Sequence, residues 1–163
     1  MIEFVGKLYR LLVSVASKLQ SPLLLAVRLY WGYQFMQTGW GKLQHLDKVT
    51  QFFTSLGIPA PALNAAFISG LELVGGALLA LGLASRLVSL LFVGDMLVAY
   101  ITADHAALFS FFSDPDKFVA AAPCTFLCAS LLILIFGPGK YALDTLVGHW
   151  FAKKSARLAE PRR

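Results

Sequence analysis

Charge is what this chain has least of. Of its 163 residues only 14% are Asp, Glu, Lys or Arg, against 58% hydrophobic, and the mean hydropathy is +0.69. That is too little polar surface to cover a water-soluble globule, which leaves a membrane protein. Cysteine is scarce too: Cys124 and Cys128 alone exclude a disulfide framework or a four-thiolate cluster, and four apart on a helix they read as small packing residues. Histidine is as thin, and His45, Asp104 and His105 come from separate loops without ligand spacing, so no metal site is expected. The Gly-Lys pair in GPGKY at 137–141 lacks the earlier glycine and the following Ser or Thr of a phosphate-binding loop and reads as a helix stop. No haem-attachment, dinucleotide or nucleophile–histidine motif occurs either, so electron chemistry would need a partner or a diffusible cofactor.

Apolar runs are what the chain has in abundance. Four windows, roughly Pro22–Trp40, Leu63–Leu83, Leu87–Ala103 and Phe118–Phe136, each have about the length an α-helix needs to cross ~30 Å of hydrocarbon. None shows the alternation of a barrel strand. The expected fold is therefore all-α: an integral membrane four-helix bundle at 22–144, preceded by an amphipathic interfacial helix at 1–21 and followed by a basic tail at 145–163. At 100° per residue Glu3, Lys7, Arg10, Ser14, Ser17 and Lys18 share one arc, opposite Phe4, Leu8, Leu11, Leu12, Val15 and Leu19, and Pro22 marks a bend into the first crossing. Between the first two crossings Leu46, Val49, Phe53 and Leu56 repeat at helical spacing before Gly57 and Pro59, which predicts a short helix over the outer face. Asp114 and Pro115 read as the N-cap and first residue of the fourth helix.

Cations set the orientation. Ten of the fourteen, including Lys7, Arg10, Lys18, Arg86, Lys140 and the five of the tail, fall on one side of a four-helix topology. The positive-inside rule then places both termini in the cytoplasm, with the bundle in the plasma (inner) membrane. A pI of 9.4 belongs to that headgroup-facing collar, so the partner of the positive charge is the lipid bilayer, and no nucleic acid is expected.

Polar residues inside the crossings are the candidate site. Arg28, Gly32, Phe35, Gly39 and Lys42 share one face of the first crossing, where the two glycines allow a close helix contact. Tyr30, Tyr33, Gln34, Gln37 and Trp40 supply ring faces and amides as candidate ligand contacts. Glu72 and Asp95 stand near the middles of the second and third crossings, and the short turn Gly82-Leu83-Ala84-Ser85-Arg86 makes those helices antiparallel neighbours. A carboxylate at that depth costs on the order of 2.5 to 3.5 kcal/mol on insertion scales, so Arg28, the only cation within a crossing, is expected as counter-ion to one of them, with Glu72 and Asp95 titrating as a coupled pair. Glu72, Asp95 and Arg28 are thus the catalytic candidates, and a polar staple that only fixes helix register is the alternative.

Several of these residues fall in a recognisable order: Arg28; Gly39-Trp40-Gly41-Lys42-Leu43; Leu56-Gly57-Ile58-Pro59; Glu72-x-x-Gly75-Gly76 with Gly82; and Phe136-Gly137-Pro138-Gly139-Lys140-Tyr141-Ala142-Leu143-Asp144. From about Arg28 to Asp144 the chain resembles the DoxX family of small four-helix membrane proteins, departing from it at Ala142, where the family pattern has Ser. Arg28, Lys42, Glu72 and Asp144 match the family pattern by position. The resemblance implies a membrane subunit linked to quinone or thiol redox metabolism, since the family is named after a subunit associated with an archaeal thiosulfate:quinone oxidoreductase. On this view the bundle binds a quinone and is one subunit of a quinone-linked oxidoreductase, with a membrane or soluble oxidoreductase as partner. The alternative is a non-catalytic anchor or assembly partner of a redox or envelope complex, and homo-oligomers suit either. A small proton-linked transporter is a third reading, against which the lack of a visible inverted repeat counts.

Overall fold

The computed structural model describes residues 2–148 and 150, so His149 and the tail from 151, with its five cations, lie outside the described residues. Among the described residues every regular element is helical. The chain runs α1 (Ile2–Gln44), α2 (Leu46–Ser55), α3 (Pro61–Leu81), α4 (Ser85–Thr102), α5 (His105–Leu108), α6 (Pro115–Ala120) and α7 (Ala122–Phe136). Helices α1, α3 and α4 are long and apolar enough to cross a membrane. With 21 residues at 1.5 Å each, α3 is roughly 31 Å long, matched to the hydrocarbon thickness.

At Pro22, where a bend is expected, the helix is not interrupted. Helix α1 continues through it for 43 residues, and the amphipathic segment is its first half. Proline removes one backbone donor, but the carbonyl it orphans belongs to Lys18, in a stretch of Ser, Lys and Gln where water and headgroups can satisfy it. From Glu3 to Gln20 nearly every residue is exposed, so this half extends past the bundle with both its apolar and its charged arcs uncovered.

The fourth crossing departs from expectation in the opposite sense. Instead of one helix over 118–136, α6 ends at Ala120, Ala121 is extended (φ −65°, ψ 134°), and α7 restarts with Pro123 in its first turn. A proline without an N–H cannot continue a helix but suits a new one. The result is a 15-residue α7, about 22 Å long and short of a full span. Buried Tyr100 of α4 mends the junction: its hydroxyl donates to the Phe118 carbonyl at 2.9 Å while the two rings stack at 5.0 Å. Asp114 does act as N-cap, accepting from the Lys117 N–H, although for α6 and not for the long helix.

Packing is built on one seam. The α1 face carrying Arg28, Gly32, Phe35 and Gly39 is buried, and so is the α3 face of Ala65, Ser69, Glu72, Gly76 and Leu79. A methyl group on Gly76 would stand 2.6 Å from the Gly32 carbonyl oxygen, and one on Gly39 would stand 2.7 Å from that of Ser69. The two antiparallel backbones therefore touch, as small residues in membrane helices permit. Beside this seam, Phe35 stacks on Phe92 of α4 at 3.7 Å and meets Phe126 of α7 edge-on at 4.7 Å, and Leu79, Val88, Met96 and Ile133 close the core.

Gly39→Ala should force α1 and α3 apart and destabilise the bundle by about 1 to 3 kcal/mol, whereas Gly70→Ala, with nothing within 4 Å of the added methyl, should change little. Reversible unfolding in mild detergent checks both; equal effects would mean that the seam is not close-packed.

Candidate functional site

The polar residues of the bundle divide into two groups, one at each end of the α1–α3 seam. At the end that holds the α3–α4 turn, Arg28 is fully buried and its Nη2 donates to the Tyr141 carbonyl at 3.0 Å. Asp144 lies within Coulombic reach of it. The Asp144 carboxylate accepts from the Ala84 and Ser85 N–H groups at 2.7 and 2.8 Å, capping α4 from sixty residues downstream, and the Asp144 N–H donates to the Gly82 carbonyl at 2.8 Å. Gly82, at φ +74°, leaves the space that the Arg28 guanidinium fills. This cluster ties the 137–144 segment onto the turn and is structural in character.

The other end is chemically richer. Lys42 Nζ donates to Glu72 Oε1 at 2.6 Å, a charge-assisted bond with Glu72 almost wholly enclosed. Helical side chains lean toward their own N-terminus, so in an antiparallel pair Lys42 leans inward and Glu72 outward, and they meet. Asp95, on α4, faces both of them. One ammonium thus serves two carboxyl groups. No N–H or hydroxyl donor among the described residues reaches the buried Glu72 Oε2 and Asp95 Oδ2, and the two carboxyl groups lie close enough to share a proton, without which such atoms are costly.

These three groups form the floor of a cavity of about 610 Å³ between α3 and α4, roofed by α2. Its walls are Val49, Phe52, Phe53 and Leu56 of α2, Phe67, Ile68 and Leu71 of α3, and Leu91, Val98 and Ala99 of α4, with Asn64, Thr102 and Lys48 as further polar groups. The half-buried face of α2 is the predicted one, Leu46, Val49, Phe53 and Leu56. Phe52, Phe67, Leu91 and Val98 line the cavity and are themselves exposed, so it opens sideways between α3 and α4 toward the bilayer. An apolar chamber with a few convergent polar groups is the usual form of a small-molecule site, and this one offers Lys42 as a donor and the Glu72 and Asp95 carboxyl oxygens as acceptors.

A model of the DoxX family matches residues 23–105. The chain belongs to the DoxX family. It is also 32% identical, over 123 residues covering 76% of this chain and 85% of the relative, to a Bacillus subtilis (strain 168) protein named "Putative oxidoreductase CatD". No solved structure matches. Both polar clusters draw on the matched residues: Arg28, Lys42, Glu72 and Asp95 lie inside them, and Asp144 lies beyond.

In this DoxX protein the structure corrects the pairing expected for Arg28. Its counter-ion is not a midplane carboxylate. The antiparallel register sets Arg28 opposite Gly82, ten residues and roughly 15 Å along α3 from Glu72, and its side chain leans the other way. Lys42, three residues beyond Gly39 on the same face, takes that place, and its reach from the helix end was the signal to follow. Glu72 and Asp95 do come together, as expected from the short turn. Tyr30, Tyr33, Gln37 and Trp40 are exposed and Gln34 half-buried, on a face of α1 away from the cavity, where Gln37 donates to Tyr33 Oη at 2.7 Å and Gln34 to Tyr30 Oη at 3.4 Å. They pair along their own helix, and the cavity walls come instead from α2, α3 and α4.

Lys42→Met should destabilise the fold by about 2 to 3 kcal/mol, a little below the range for a fully enclosed pair because a third of the Lys42 side chain is exposed, and adding Glu72→Leu should restore most of the loss. Asp144→Ala should cost about 1 to 2 kcal/mol through its two cap bonds to α4. Thermal melting in detergent tests these effects; a double variant no more stable than Lys42→Met would show that the pair is not what holds Glu72.

Proposed function

We propose that this DoxX protein binds a quinone or a chemically similar ring-bearing lipophile in the cavity beneath α2 and handles its protons, as the membrane subunit of a quinone-linked redox system. The observation that carries this reading is the set Lys42, Glu72 and Asp95 at the floor of an apolar chamber open to the bilayer. When bound, a quinone supplies the reversible two-electron, two-proton chemistry that side chains lack. The chain's own groups orient and protonate: Lys42 holds a ring oxygen, Glu72 and Asp95 accept or return protons on its edge, and Phe52, Phe53 and Phe67 enclose the ring and exclude water. Electrons pass to or from a partner oxidoreductase. The printed name of the Bacillus subtilis relative is of the same character. With both termini in the cytoplasm of a bacterial-type plasma membrane, the chamber lies in the outer half of the bilayer.

Organic extracts of gently purified protein, read by mass spectrometry, decide the matter. Wild type should carry a lipoquinone below one equivalent. Ala99→Trp, which fills the cavity, and Asp95→Asn, which removes a proton acceptor, should each lower it about tenfold at unchanged melting temperature. A quinone retained equally by both variants would place it elsewhere, and none in wild type would leave the chain a membrane anchor for its partner.

A further inference from the structure

A second cavity, of about 630 Å³, lies at the opposite end of the bundle, where the start of α4, the 137–140 turn and the middle of α1 converge. Its character differs from that of the outer chamber. The walls on the bilayer side are apolar, with Leu24 buried at the back and Leu87 and Phe136 exposed at the mouth. The rim is basic. Arg86 and Lys140 are both exposed, and neither has an ion-pair partner among the described residues. The Arg86 guanidinium lies against Gly137, where a methyl group would stand 3.2 Å from Nη2, so that glycine at φ +78° leaves the arginine its place on the rim. At the base, Ser85 Oγ is fully buried and unpartnered in the first turn of the 18-residue α4, at the positive end of its helix dipole.

We infer that this groove holds the phosphate of an anionic phospholipid: the headgroup between Arg86, Lys140 and the Ser85 hydroxyl, the acyl chains running out past Leu87 and Phe136 into the bilayer. Asp144 also lines the groove, and its repulsion of an anion there is offset in part because its carboxylate oxygens are turned to the Ala84 and Ser85 N–H groups and buried Arg28 lies nearby. The depth fits as well. The groove sits where α3 ends and α4 and the GPGK turn begin, at the level of the headgroups on the side that collects the chain's positive charge. A freely dissolved phosphate ester shares the headgroup chemistry but not the need for the Leu24, Leu87 and Phe136 wall.

Native mass spectrometry of the full chain, released from vesicles of equal phosphatidylglycerol and phosphatidylcholine, tests the assignment. Wild type should retain phosphatidylglycerol, and Arg86→Gln with Lys140→Gln should lower that retention about tenfold or more. Ser85→Ala should lower it by a smaller factor, while Lys7→Gln with Arg10→Gln, which removes equal charge from the exposed first half of α1, should leave it unchanged. Circular dichroism establishes that every variant keeps its helices. Equal loss in the Lys7 and Arg10 variant would reduce the effect to general attraction by the basic collar and overturn the site. So would equal retention of the zwitterionic lipid. Displacement of the lipid by millimolar inorganic phosphate would overturn the lipid assignment in favour of a soluble phosphate ester.

Discussion

Everything else in this protein hangs on the contact of two backbones. Inside a bilayer, apolar burial gives helices no reason to prefer one another over lipid, so association depends on how closely they approach and on the polar groups they share. Gly32, Gly39 and Gly76 bring α1 and α3 to van der Waals contact and fix their antiparallel register. That register decides which polar side chains meet. Arg28 falls opposite Gly82 and so reaches the C-terminal segment, and Lys42, leaning inward from the far end, reaches Glu72. A slip of one turn along the seam would leave both cations facing apolar surface and a carboxylate unpaired in hydrocarbon, which is what makes the register specific.

The two ends use this frame differently. Around Arg28 the chain ties itself together: the guanidinium donates to the Tyr141 carbonyl and the Asp144 carboxylate accepts from two cap N–H groups, so the turn between α3 and α4 is held under the 137–144 segment, with Arg28 Nε and Nη1 left without partners among the described residues. The Glu72 end opens on a cavity instead. One ammonium faces two carboxyl groups, and two of their oxygens meet no N–H or hydroxyl donor among the described residues at the bottom of an apolar chamber. Buried polar atoms lack partners at both ends, and what sets the outer cluster apart is that its open acceptors face a ligand-sized apolar space.

The chamber exists because the helices around it do not all run straight through the bundle. Gly75 lets Phe92 close the α3–α4 contact near the turn, and beyond that point the two helices leave room at Asp95. Helix α2 lies over the gap with its apolar face inward. The break at Ala121 shortens the helix facing α4 from the other side, and Tyr100 restores the hydrogen bond lost there. The same α4 thus serves a tight aromatic core on one face and a polar cavity on another.

The amino-acid pattern by itself determined the membrane solvent, the four apolar windows, the glycine-bearing face of α1, the inward face of α2 and the nearness of Glu72 to Asp95. Each of these follows from composition, helical periodicity or a turn too short to allow anything else. The tertiary structure alone decided the polar partners. Arg28 and Lys42 share one stripe and Glu72 and Asp144 lie far off in the chain, so only the antiparallel register, set by backbone contact between glycines, shows which cation meets which acid. It alone decided that Tyr30, Tyr33 and Gln37 face outward, because helical periodicity groups residues on a face without saying what that face meets. Pro22 and Pro123 show the same limit: one ring is carried within a continuous helix while the other opens a new one, and a proline's effect on the sequence of turns is not fixed by the residue itself.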